Sequence, residues 1–97
     1  MSVVQVNGAL VADSTAAVRR AVTSEFLRSP GFLALDLTGV SRIDGDGIEA
    51  LTSAAVQAGE SDIGFCLVGA HQGPIAAALA EADLSELFEI VPTLDDI

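Results

Sequence analysis

The segment Asp44-Gly45-Asp46-Gly47 holds the residue types and spacing that most invite a chemical reading. Two carboxylates sit two residues apart, each followed by a glycine. A calcium loop can start this way, but its fifth and sixth positions would be Ile48 and Glu49, where an oxygen ligand and a glycine are required. A phosphate cradle would place glycines as G-x-G-x-x-G, and two carboxylates beside a helix start repel a phosphate. A paired-carboxylate acid/base site needs one acid pushed up by apolar surroundings, which the local sequence does not supply. Both acids read equally well as a turn residue and a helix N-cap. No enzyme is read from this segment.

Cys66 and His71 are the sole thiol and the sole imidazole. A nucleophile–base pair would need them within mutual reach of a third, orienting group. Cys66 lies among Phe65, Leu67 and Val68, so it reads as a small core filler. One Cys and one His do not make a closed zinc set. Asp36 interrupts an apolar run; such an acid can mark a ligand crevice at a strand's carboxyl end, and more commonly bonds nearby backbone N–H groups. No metal and no cofactor is expected.

These residues must be positioned by alternating strands and helices. Val3–Val6 reads as a short strand ending at the turn signal Asn7-Gly8. Asp13 or Ser14 can cap a helix running to about residue 28 in which Val18, Ala21, Val22 and Phe26 recur at helical spacing. Ser29-Pro30-Gly31 stops it. Phe32–Leu37 is nearly all apolar and of strand length, which predicts a strand buried on both faces. A loop over Thr38–Gly45 is expected next. A second helix then starts near Asp46 or Gly47, with Asp46 and Glu49 at capping-box spacing, Ile48, Leu51, Ala55 and Ala58 facing inward, and Gly59 as its C′ residue. Ile63–Val68 is another apolar strand. Gly73-Pro74 opens a third helix with Ile75, Ala78, Leu79 and Ala82 inward. Leu84–Phe88 reads as a turn or short helix, and Phe88–Val91 as a last strand. The order β-α-β-α-β-α-β predicts an α/β layer fold with parallel crossovers.

Composition narrows the function classes. The chain has 97 residues, 51% of them hydrophobic, which fits one domain over 1–97 with one modest core. No apolar run is long enough to span a bilayer, and the N-terminus lacks the basic and apolar regions of a secretory signal, so no membrane insertion is expected. A single cysteine fits a reducing cytoplasm. Four arginines face fourteen acids, for a net charge of −10 and no lysine at all. Schiff-base and P-loop lysine chemistry are thereby excluded, and the acidic balance argues against nucleic acid as a partner. Residues 49–97 hold nine acids and no base, a half that favours basic partner surfaces.

FLALDLTGVSRIDGDGIEAL, residues 32–51, resembles the signature of STAS domains, the fold of bacterial anti-sigma factor antagonists. That signature is an apolar strand ending in Asp-Leu, a small-residue turn, an apolar residue, and Asp-Ser-Ser-Gly-Leu opening a helix. Gly8-Ala9-Leu10 is similar to the family's Gly-Glu-Leu, and Asp83-Leu84 with Leu87-Phe88 to its Gly-Leu and Leu-Phe. The resemblance implies a central mixed or mostly parallel four-stranded sheet with helices packed against it. It implies a binding module, not a catalyst, that docks on a serine-kinase anti-sigma factor, a histidine-kinase-like ATPase domain, and so frees a sigma factor for transcription. The implied contact residues are Asp44, Gly45, Asp46, Gly47 and Ile48, with Arg42 and Glu49 at the rim. The alternative is a STAS scaffold or accessory subunit of a larger assembly, stressosome-like or transporter-associated.

In the family the kinase phosphorylates the first Ser of Asp-Ser-Ser-Gly and breaks the complex, because phosphate adds about −1.5 to −2 charge inside a contact surface. Here that Ser corresponds to Gly45, which has no hydroxyl, and the second Ser to Asp46. Two opposite consequences follow: a module no kinase can switch off at this position, which is the favoured reading, or one held released by the fixed charge of Asp46. Further departures are a single N-terminal strand where the family usually has a hairpin, and Asp95-Asp96-Ile97 where a last helix would begin. Apolar surface left by these is expected to be covered by a partner or a second copy.

Overall fold

The computed structural model of the protein describes residues 2–96, the last of them by its backbone only. Its elements are β1 (Ser2–Leu10), α1 (Thr15–Leu27), β2 (Phe32–Ile43), α2 (Gly45–Glu60), β3 (Gly64–Val68), α3 (Gly73–Glu81), β4 (Ile90–Val91) and a 3-10 turn at Leu94–Asp96. The strands form one sheet in the order β1-β2-β3-β4, and every pairing is parallel. Parallel neighbours need a crossover between them, and α1, α2 and α3 supply the three.

The two faces of the sheet are packed differently. Leu33, Leu35 and Leu37 of β2 and Leu67 of β3 join Val22 and Phe26 of α1, Leu51, Ala54 and Ala58 of α2, and Ile75 and Leu79 of α3 in the main core. Ala34, Cys66 and Val68, on the alternate positions, form a second small cluster against Phe32 and Val91. The apolar run of β2 is therefore buried on both faces, as its lack of alternation predicts.

β1 and β2 run longer than the sequence suggests. Asn7-Gly8 does not end β1; the strand passes through it to Leu10, and Thr38–Ile43 is strand rather than loop. The ladder holds by absorbing two irregularities: Gln5 to Asn7 lies opposite Asp36 to Gly39, and Gly8 to Ala9 opposite Val40 to Arg42. Each places one extra residue in β2. Gly8 takes φ of 82° at the second, so the turn signal marks a bulge and not a hairpin.

α1 keeps the expected bounds, starting after Ser14 and ending at Leu27, whereas the end of the second helix shifts for a physical reason. α2 runs through Gly59 to Glu60; the left-handed position that closes it is Asp62, φ 57°, because aspartate tolerates that region better than most side chains. Its buried stripe is Gly47, Ala50, Leu51, Ala54 and Ala58, while Ile48 and Ala55 are half-buried. In α1 Ala21 is exposed, and so is Ala82, which falls just past the end of α3. β3 begins at Gly64 and β4 at Ile90, leaving Phe88 as a buried residue of the preceding turn. Among the described residues one strand precedes α1; of the final Asp95-Asp96-Ile97, the first two fall in the 3-10 turn and Ile97 lies outside the described residues.

Candidate functional site

The β1–β2 ladder sets up the site. Leu10 pairs with Ile43 at its far end, so the loop after β1 and the start of α2 leave the sheet side by side. Asp44 is the residue between. Its backbone is extended, φ −120° and ψ −172°, and its Oδ1 accepts the Gly47 N–H at 3.0 Å. This is the N-cap geometry, in which a side-chain oxygen satisfies the third amide of a helix. The N-cap is therefore Asp44 and not Asp46, and the Asp46–Glu49 capping box does not form. Asp46 already lies inside the first turn, where its charge faces the positive end of the helix.

Asp44 has a second tie. Its Oδ2 accepts the N–H of Ala12, thirty-two residues earlier, at 3.1 Å, and its own N–H donates to the Leu10 carbonyl at 3.3 Å. The Gly47 bond foremost, against a smaller opposing effect of burial, with Ala12 and nearby backbone amides adding, holds the Asp44 carboxyl below the usual carboxylate range.

The two glycines of the tip differ. A Cβ on Gly47 would stand 2.6 Å from Ile43 Cγ1 and closer still to the Leu10 carbonyl oxygen. Only glycine lets α2 lie against the end of β1 here. A Cβ on Gly45 meets nothing within 4 Å, so nothing in the fold forbids a side chain there. Gly45 and Asp46 are exposed, Ile48 is half-buried against the main core, and Arg42 and Glu49 are exposed.

Two shallow depressions flank the tip. One is lined by Val11, Ala12, Asp13, Arg42, Ile43 and Asp44. The other runs from Ile43, Asp44, Gly45 and Ile48 to Ala78, Glu81 and Ala82 of α3. Of the expected contact residues, Arg42, Asp44, Gly45 and Ile48 line these depressions, Gly47 is buried beneath the tip, and Asp46 and Glu49 are exposed but line neither; the depressions add Ala12, Asp13 and Glu81, which sequence reasoning missed. The spacing within residues 42–49 carries no sign of them. A signal was present in Gly8-Ala9-Leu10, since the chain after that motif must emerge beside β2's end once the two strands pair. The charged groups around the tip are Asp13, Asp44, Asp46, Glu49 and Glu81 against Arg42, which makes no ion pair among the described residues.

The other residues singled out for chemistry lie elsewhere. Cys66 is buried in β3, and burial, with the Glu89 charge as a lesser cause, pushes its thiol up, away from the reactive thiolate. His71 is exposed in the β3–α3 loop. Asp36 is buried, and its Oδ1 accepts both the N–H of Thr38 at 3.1 Å and its hydroxyl at 2.7 Å. Among the described residues no helix is long and apolar enough to cross a membrane.

Comparison with known proteins matches this fold. A structure of an anti-sigma factor antagonist from Mycobacterium paratuberculosis superposes with a TM-score of 0.85 at 27% identity, over 97% of this chain and 79% of that one. A sulfate transporter family protein from Wolinella succinogenes follows the same fold at TM-score 0.79 and 17% identity, over 97% and 78%. The STAS domain of a SulP transporter from Vibrio cholerae does so at 0.74 and 20%, over 98% and 75%. A search of curated proteins returns no significant match. The family model described as STAS domain matches residues 1–97, and the chain belongs to the STAS domain family.

Proposed function

We propose that this chain is a non-enzymatic docking module of the anti-sigma factor antagonist kind, binding the histidine-kinase-like ATPase domain of an anti-sigma serine kinase through the tip of α2. The observation that carries the reading is the tip itself: Gly45 and Asp46 stand exposed at the start of a capped helix anchored on the core by Gly47 and Ile48. The 27% identity to an anti-sigma factor antagonist over nearly the whole chain supports that partner class. Asp44, Asp46, Glu49 and Glu81 make the tip acidic, so the facing surface of the partner is basic. Arg42 and Glu49 form the rim.

The tip offers no hydroxyl at residue 45, so no phosphoryl group is added there and docking is not switched off by that route. Asp46 is relieved of a capping role by Asp44, which leaves its charge free to act on the partner. Titration calorimetry of the wild type and Asp46→Ser against the histidine-kinase-like ATPase domain of an anti-sigma serine kinase tests the reading. Binding of both within about threefold is expected, a difference under about 0.7 kcal/mol. A tenfold gain for Asp46→Ser shows that Asp46 mimics the released state; no binding by either rejects the kinase partner.

A second reading draws on the two transporter-type structures: an accessory STAS domain of a larger assembly, a transporter or a multi-STAS particle. It needs the fold and no switch residue. Co-purification separates the two, through a transporter or STAS subunit in one case and a histidine-kinase-like ATPase in the other. In both readings the chain works in the cytoplasm.

A further inference from the structure

We propose that the docking face is composite: the β1–α1 loop is its second arm, and Asp44 is a positioning residue that holds loop and α2 tip as one body. This rests on the reading that the tip docks a partner, and it gives Asp44 a different role there, acting through the loop rather than on the partner.

Capping alone does not account for Asp44. An N-cap needs one side-chain oxygen, and serine or asparagine would serve as well. Here the second oxygen reaches Ala12, in a loop thirty-two residues away in sequence. That loop is already closed on itself. Ser14 N–H donates to the Val11 carbonyl at 2.8 Å, Val11 N–H to Ser14 Oγ at 3.1 Å, and the Ser14 hydroxyl to the Ala9 carbonyl at 2.7 Å. The Ala12 N–H takes no part in these bonds, and the carboxylate accepts it. One side chain therefore joins a self-bonded loop to a helix start, and the Asp44 N–H to Leu10 carbonyl bond braces the joint. Asp13 and Arg42, both exposed, line the depression beside the tip together with Ala12 and Asp44 of the clasp. A basic partner surface that engages the acidic tip can then reach Asp13 in the same encounter, and the rigid joint spares it the entropy of ordering the loop.

Asp44→Asn separates clasp from cap. The asparagine keeps an oxygen for Gly47 and turns its NH2 toward the Ala12 N–H, donor against donor. Amide hydrogen exchange followed by NMR should show Ala12 exchanging at least tenfold faster while Gly47 and Ile48 change less than twofold. Should the variant not fold, the wild type alone answers: on lowering the pH, the Ala12 and Gly47 amide signals move with one shared midpoint. Unchanged Ala12 exchange, or no shared midpoint, overturns the clasp. Against the ATPase domain, Asp13→Lys should weaken binding at least fivefold in the wild type and less than twofold in Asp44→Asn, a coupling that a purely structural Asp44 would not produce. If Asp46→Arg abolishes binding and Asp13→Lys does nothing, the composite face is wrong and tip docking stands. If neither matters, both fall.

Discussion

At the residue scale the two tip glycines make opposite predictions from the same local sequence. Gly47 is where α2 touches the end of β1, and a methyl group there collides with backbone, which cannot swing aside as a side chain can. Gly47→Ala is expected to destabilise by about 1–3 kcal/mol, the range for overpacking a well-filled site. Gly45 is open on all sides and has no strained φ. Gly45→Ala or Gly45→Ser removes backbone freedom from the unfolded chain and should be neutral or stabilising by about 0.5–1 kcal/mol. Urea unfolding of the three variants checks both. Equal loss at both positions would mean that α2 does not lie against Leu10. Gly45→Ser should also create a phosphoacceptor where the wild type has none, read by phosphate incorporation from ATP in the presence of the kinase.

Asp44 adds a pH dependence of definite sign. Its folded pKa is lowered, so its carboxylate stabilises the fold above the unfolded carboxyl pKa of about 3.9, and that contribution disappears as pH falls through the lower folded value. Wild type and Asp44→Asn should therefore differ most in denaturant midpoint near neutral pH and converge below the folded pKa. A gap that stays constant into acid would show that the charge on Asp44 contributes nothing.

At the element scale β3 explains the silent cysteine. Cys66 pairs with Ala34 across the ladder and is 1% exposed, in the cluster on the face away from the helices. A buried thiol pushed up by its surroundings reacts with disulfide reagents only when the strand opens. Native protein at mildly alkaline pH should label at least about a hundredfold more slowly than urea-unfolded protein, in line with the opening free energies of core strands. Rapid native labelling would place β3 at a frayed edge, which its position between β2 and β4 opposes.

At the scale of the whole molecule charge is the governing term. Ten excess negative charges sit on a body of 30 × 29 × 22 Å. At about 0.01 M salt the screening length is about 30 Å, so repulsion spans the protein; at about 0.1 M it shrinks to about 10 Å. Thermal stability should rise with added salt over this range, measured by circular dichroism. A flat or falling melting temperature would mean that local pairing offsets the excess. The same repulsion opposes self-association at low salt. Val3, Leu27, Val56, Leu87 and Leu94 are exposed, each on a different element or turn. Light scattering with increasing salt tests whether a second copy covers such residues: growth of a dimer supports it, and a monomer throughout leaves a heterologous partner as the cover.

The sequence by itself determined what depends on neighbours along the chain. The doubly buried strand from Phe32, the helix opening at Pro74 and the lysine-free acidity all follow from residue type and local period. The Asp-x-Asp-Gly helix start was legible as well, down to the family it resembles. Only the tertiary structure decided what depends on residues distant in sequence meeting. Asn7-Gly8 looks like a turn until β2 supplies partners on its far side, and Thr38–Ile43 looks like a loop until β1 does. Asp44 and Asp46 are indistinguishable as caps in a linear reading. The choice falls to Asp44 because Gly47 must press against Leu10, which fixes where the helix begins and leaves one carboxylate between two amides thirty-five residues apart.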